Sequence, residues 1–177
     1  MKNRTIFSKT DFRGRKSLRL KDRDYARNSS YFVTICARRR LCIFGKITNE
    51  EMHLNKIGQI VKVCWQQLPV RHANVKLDEF TVMPNHFHGI IVIKPSFEKT
   101  MTLGQIIGGF KSLSAVRCIR ESKLGNLPSL GQSIWQRNYH ERIIHDENEL
   151  MAYRRYIKNN PKTWKQDVLS PDERQFE

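Results

Sequence analysis

Hydrophobic positions along the chain follow two periods, broken by clear turn signals. Tyr31-Phe32-Val33-Thr34-Ile35-Cys36-Ala37 is an unbroken β-branched and aromatic run and predicts a strand over 31–37. Ile57, Ile60, Val61, Cys64, Trp65 and Leu68 recur every three or four positions, which predicts a helix over 55–68 stopped by Pro69. Residues 75–83 and 86–93 read as two further strands, paired as a hairpin across Pro84-Asn85. A helix over 102–120 comes next, and then a Gly/Pro/Ser loop over 125–133. A fourth strand is expected at 139–144 and a last helix from 147 to about 159. Gly108-Gly109 inside the second helix costs roughly 1 kcal/mol per glycine relative to alanine, and close packing on the sheet is the expected reason.

The last helix has its own signals. Asp146 is placed to cap it, with Glu149 three residues on, and Leu150, Tyr153 and Ile157 make its apolar stripe. Tyr156 and Asn160 lie one turn apart on the flank of that stripe, where a side chain borders both core and solvent. Pro161 disfavours helical geometry at Asn160 and puts that residue in a frayed last turn.

The order of elements is β-α-β-β-α-β with a trailing helix. That is an α+β chain: a ferredoxin-like antiparallel sheet with helices on one face, plus a C-terminal helix carrying Tyr156. The other face of the sheet is left to hold a site. The expected organisation is a basic arm over 1–29, one domain over 30–165 and a tail over 166–177.

Charge narrows the partners. The 177 residues carry 32 Lys and Arg against 17 Asp and Glu, a net charge of +15. Residues 1–40 hold 13 Lys and Arg against 3 Asp, a net +10, which leaves +5 for the rest. That excess on a foldable chain points to a polyanion, nucleic acid first. The arm lacks apolar periodicity, and its Arg15, Lys16 and Arg19 are candidate phosphate contacts; a solubilising role is the plain alternative. Arg38, Arg39 and Arg40 directly follow the first strand and should sit at a fixed place at its end. The chain shows neither a membrane-spanning apolar run, a secretory h-region nor a basic lipid-surface helix. Cys36, Cys42, Cys64 and Cys118 form no Cys-x-x-Cys pair and read as reduced thiols, so the expected location is cytoplasmic, beside the nucleoid.

His86-Phe87-His88 lies on a strand, so both imidazoles share one face and Phe87 the other. Two imidazoles at that spacing suit one divalent ion, or are simply two surface histidines. The stretch from Trp135 to Arg142 mixes aromatic, polar and basic side chains. It suits stacking on unpaired bases, with Gln136, Arg137 and Arg142 as contacts, or else is a strand entrance with a buried Trp. Lys111 on the second helix is a further candidate phosphate contact, with a solvated helix face as the default.

Met83-Pro84-Asn85-His86-Phe87-His88-Gly89-Ile90 resembles the histidine-hydrophobic-histidine motif of the HUH nucleases. With 31–37, 103–112, 134–144 and 153–161 in matching order, the chain resembles the REP-associated tyrosine transposases of the single-tyrosine insertion-sequence superfamily. The likeness runs from about residue 30 to 164. It implies that His86 and His88 bind a divalent metal, that Tyr156 is the nucleophile, and that Asn160 completes the metal site. An asparagine stands there in place of a glutamine or acid. Mg²⁺ or Mn²⁺ is the implied ion, although imidazoles also accept Zn²⁺. The implied reaction is nicking and joining of single-stranded or hairpin DNA through a 5′-phosphotyrosine, with a monomer expected although the wider superfamily includes dimers. Two rival readings stand beside it: a non-catalytic module for structured nucleic acid, and a metal-dependent phosphodiesterase that activates water.

Overall fold

The computed structural model describes residues 29–95, 101–130 and 133–170. Four strands, β1 (Ser29–Cys36), β4 (Val75–Val82), β5 (His86–Ile93) and β6 (His140–Ile144), form one sheet in the order β4-β5-β1-β6. Every neighbouring pair is antiparallel. This is the split βαβ topology that the element order predicts, with β1 and β5 central.

One face of the sheet packs on α1 (Lys56–Gln66) and α3 (Leu103–Lys123). Val33, Ile35, Phe87 and Ile91 meet Val61, Trp65, Ile106, Ile107 and Phe110 there. A Cβ at Gly89 would come within 2.8 Å of both Phe87 and Trp65, so the bare glycine is what leaves room for the indole against β5. The other face packs on α4 (Glu147–Asn159). There Phe32 and Ile90, opposite each other in register, meet Ile144 and Ile157. The site therefore lies between the sheet and α4. No helix among the described residues is long and apolar enough to cross a membrane, and all four cysteines are free thiols.

Three expectations change. Pro69 does not end the helical region: α1 closes at Gln66, and Pro69 opens a second short helix, α2 (Leu68–Arg71). Proline's missing N–H costs nothing in a first turn. An unforeseen hairpin, β2 (Gly45–Thr48) with β3 (Glu51–Leu54), fills the segment after the arginines. Its turn residues Asn49 and Glu50 both have positive φ, 52° and 63°, the geometry a two-residue hairpin turn requires. Packing does not explain Gly108 and Gly109: a Cβ at either meets nothing within 4 Å. Gly108→Ala and Gly109→Ala should therefore each raise stability by about 1 kcal/mol in denaturant unfolding.

Trp135 is core. It is 4% exposed, packs on Phe44 and Phe110, and its Nε1 donates to Ser114 Oγ at 2.9 Å.

Candidate metal and tyrosine site

The period-2 pleat of β5 puts His86 and His88 on the α4 side, with ring centroids 4.5 Å apart, and sends Phe87 into the opposite core. Both imidazoles are fully buried. Burial, with the charges of His88 and Arg40 adding to it, holds His86 well below the ordinary imidazole range, and burial alone pushes His88 down to about 3. Neutral rings keep one lone pair each, which is the form that binds a metal.

Helix α4 brings the phenol. Asp146 Oδ1 accepts from Glu149 N at 2.8 Å and starts the helix; the Glu149 carboxylate accepts from His145 N, one residue before the cap. A β-bulge in β4, between Leu77 and Phe80, carries two acids that hold the helix in place. Asp78 takes Arg154 in a two-pronged pair, Nε to Oδ1 at 2.8 Å and Nη2 to Oδ2 at 2.7 Å, and Glu79 takes Lys158 at 3.0 Å. The Arg154 guanidinium keeps the Asp78 carboxyl below the usual range. With α4 so oriented, Tyr153 stacks on Phe32 at 4.5 Å, and Tyr156 Oη lies 3.3 Å from His88 Nε2. Burial, and after it the charge of Asp167, pushes the Tyr156 phenol up. It is a neutral phenol in the free protein.

Asn160 does not fray. It holds helical backbone (φ −55°, ψ −43°) and is 1% exposed, because the chain continues past Pro161 through a turn anchored on Asn159 and Asn160 carbonyls. That turn brings in a residue with no counterpart in the sequence reading. Asp167 Oδ2 accepts from Asn160 Nδ2 at 3.1 Å and lies 3.9 Å from His86 Nε2, while its Oδ1 accepts from Leu169 N at 2.7 Å. Burial pushes its carboxyl up, against those hydrogen bonds. Ligand atoms of His86, His88 and Asp167 all lie within 4.8 Å of one another. Trp164, 5.8 Å from the His86 ring, and buried Leu169 cover the cluster. An isolated acid after the last periodic segment gave no signal; only the chain reversal at 160–163 delivers it.

The donor set fits a cation. His86 Nε2 and Asn160 Oδ1 are buried with no hydrogen-bond partner. Both are lone-pair groups, and an orphaned buried acceptor costs about 1–3 kcal/mol. A divalent ion between two imidazole nitrogens, a carboxylate and an amide oxygen would satisfy both at once.

The remaining candidates fall into three groups. Arg38, Arg39 and Arg40 are exposed in a tight turn after β1, with φ of +55° at Arg39 and Arg40. The Arg40 carbonyl accepts from Asn85 Nδ2 at 3.2 Å, so this turn abuts the site. Arg137 and Arg142 are exposed; Arg142 sits opposite Phe32 on β6 and so shares the face of the histidines. Gln136 is partly buried, and its backbone pairs with Cys36 O. Lys111, expected on phosphate or in solvent, instead donates to the Gln136 and Arg137 carbonyls at 2.7 and 2.8 Å. Its ammonium is used to pin the loop before β6. Arg15, Lys16 and Arg19 lie outside the described residues.

Comparison with known proteins finds a family and a fold. Residues 25–160 match the family described as transposase IS200 like. A Haemophilus influenzae protein described as uncharacterized is 37% identical over 176 residues, covering 89% of this chain and 94% of its own length. Two solved structures share the fold at 17% identity. A REP-associated tyrosine transposase bound to a REP hairpin has a TM-score of 0.55, over 81% of this chain and 72% of its own. A Deinococcus radiodurans R1 protein described as a transposase candidate has a TM-score of 0.52, over 78% of this chain and 95% of its own.

Proposed function

We propose, for a chain that belongs to the IS200-like transposase family, that Tyr156 cuts and rejoins single-stranded or hairpin DNA through a covalent 5′-phosphotyrosine. One observation carries this reading: Tyr156 Oη lies 3.3 Å from His88 Nε2, beside a buried donor set with unfilled lone pairs. Neither rival reading uses both features. Water activation leaves the tyrosine without a role, and simple binding leaves the histidine pair without one.

His86, His88, Asp167 and Asn160 would hold a divalent ion, Mg²⁺ or Mn²⁺, which would supply positive charge for the scissile phosphate and the phenolate. Tyr156 supplies the nucleophile. Its oxygen forms a bond to phosphorus, the bond from phosphorus to the 3′ oxygen breaks, the phenol gives up its proton and the released 3′ oxygen gains one. One phosphodiester replaces another, so the reverse joining step needs no nucleoside triphosphate. The exposed arginines at 38–40 and 142 border this face and suit the flanking phosphates, and exposed Arg137 lies in the loop before β6. The expected compartment is the cytoplasm, where chromosomal DNA is the partner.

An end-labelled hairpin oligonucleotide with single-stranded flanks tests this. Incubation in Mn²⁺ should give a species that stays with the protein through denaturing electrophoresis and does not form in EDTA. Label that is released by denaturant in every condition contradicts the proposal.

A further inference from the structure

Two residues outside the donor set contact the Nδ1 atoms of the two rings. Asn85 donates through Nδ2 to Leu169 O at 2.7 Å and to Arg40 O at 3.2 Å. An NH₂ group facing two carbonyls leaves only one orientation for the amide, with Oδ1 toward the histidine. That oxygen lies 2.8 Å from His86 Nδ1 and can only accept. The proton of His86 is therefore on Nδ1, and Nε2, which faces Asp167, is the lone pair. On the neighbouring strand, Thr34 stands opposite His88 in register, and its Oγ1 lies 2.8 Å from His88 Nδ1. A hydroxyl both donates and accepts, so it is the need for a bare Nε2 at the metal that puts the His88 proton on Nδ1, with Thr34 Oγ1 accepting the hydrogen bond. Both contacts are buried, where a misplaced proton cannot exchange its partner for water.

We propose that Asn85 and Thr34 are positioning residues of the metal site, holding His86 and His88 in the Nδ1-protonated tautomer so that both Nε2 lone pairs face one cation. The inference rests on the metal reading above. Asn85 has a second consequence. Its Nδ2 ties the Leu169 carbonyl, two residues from Asp167, to the turn that carries His86. One side chain thus sets the tautomer of one ligand and the placement of another. Thr34 acts on His88 alone, which makes it the cleaner test. Thr34→Val keeps volume and strand preference and removes only the oxygen, whereas Thr34→Ser keeps the oxygen.

Imidazole ¹⁵N spectra of the metal-free protein read the tautomers directly, and Mn²⁺ titration reads the outcome. The wild type should show protonated Nδ1 and bare Nε2 on both rings. Thr34→Val should move His88 toward the other tautomer and weaken Mn²⁺ binding roughly 10–100-fold, the usual cost of losing such a partner. Thr34→Ser should restore both. Asn85→Ala should do the same to His86. A wild-type spectrum with the proton on Nε2 of either ring, or a Thr34→Val protein with unchanged tautomer and affinity, overturns the proposal. A double variant, His86→Ala with His88→Ala, separates the two failures. If it binds Mn²⁺ as the wild type does, the metal reading falls; if only the Thr34 and Asn85 variants bind normally, the positioning role falls alone.

Discussion

Tyr156→Phe is expected to lose the covalent protein–DNA species entirely while still binding the same oligonucleotide. The variant removes one oxygen and keeps the ring, which packs edge-on against Phe32 at 6.0 Å and against the His88 ring at 5.2 Å. The lost hydrogen bond to His88 costs about 1 kcal/mol, a small part of the stability of a chain this size. Activity should fall to background because no other oxygen takes the place of the nucleophile. Tyr153 supplies the control. It lies on the same helix but stacks on Phe32 within the apolar stripe, so Tyr153→Phe should keep the adduct. Denaturing gels and binding isotherms on the three proteins decide the matter. An adduct that survives Tyr156→Phe removes the tyrosine mechanism.

His86→Ala carries the second large effect, on metal-linked stability. A ligand present at 100 times its dissociation constant stabilises the folded state by about 2.7 kcal/mol. For a chain of this length that is a rise in melting temperature of roughly 5–10 °C. Wild-type protein should show that rise in Mn²⁺, and His86→Ala should show none. The variant also deletes the orphaned Nε2, so part of the cost of the cavity is offset in the metal-free protein. Equal Mn²⁺-dependent shifts in the two proteins would mean the ion sits elsewhere.

What was readable in the chain, and what was not, follows from the range of the forces involved. His86 and His88 were readable because a strand's pleat is strictly local: once 86–93 is a strand, both rings share a face. The start of α4 was readable from Asp146 and Glu149 for the same reason. The β2–β3 hairpin was hidden because its turn uses Asn49-Glu50, without the glycine that usually announces positive φ. Asn160 looked frayed because Pro161 is a local penalty, and packing around Asp167 and Leu169 overrides it. The Asp78–Arg154 clamp spans 76 positions and arises only when the bulge in β4 meets α4. Asp167 is the sharpest case. It enters the site through a reversal with no periodicity, so nothing before the fold connects it to residues 81 positions earlier. Lys111 and Trp135 make the opposite point. Each belonged to a residue type that suits nucleic acid, and tertiary packing committed both to the protein's own backbone and core.

The most direct measurement locates the DNA on the protein. Wild-type chain is allowed to react with the hairpin oligonucleotide in Mn²⁺, digested with nuclease and trypsin, and sequenced by mass spectrometry. Cleavage after Arg155 and Lys158 isolates Tyr156 on a short peptide. The expected result is a nucleotide joined through its 5′ phosphate to Tyr156, absent when EDTA replaces the metal. A nucleotide on Tyr153 or on any other side chain, or cleaved DNA with unmodified Tyr156 throughout, would contradict the account.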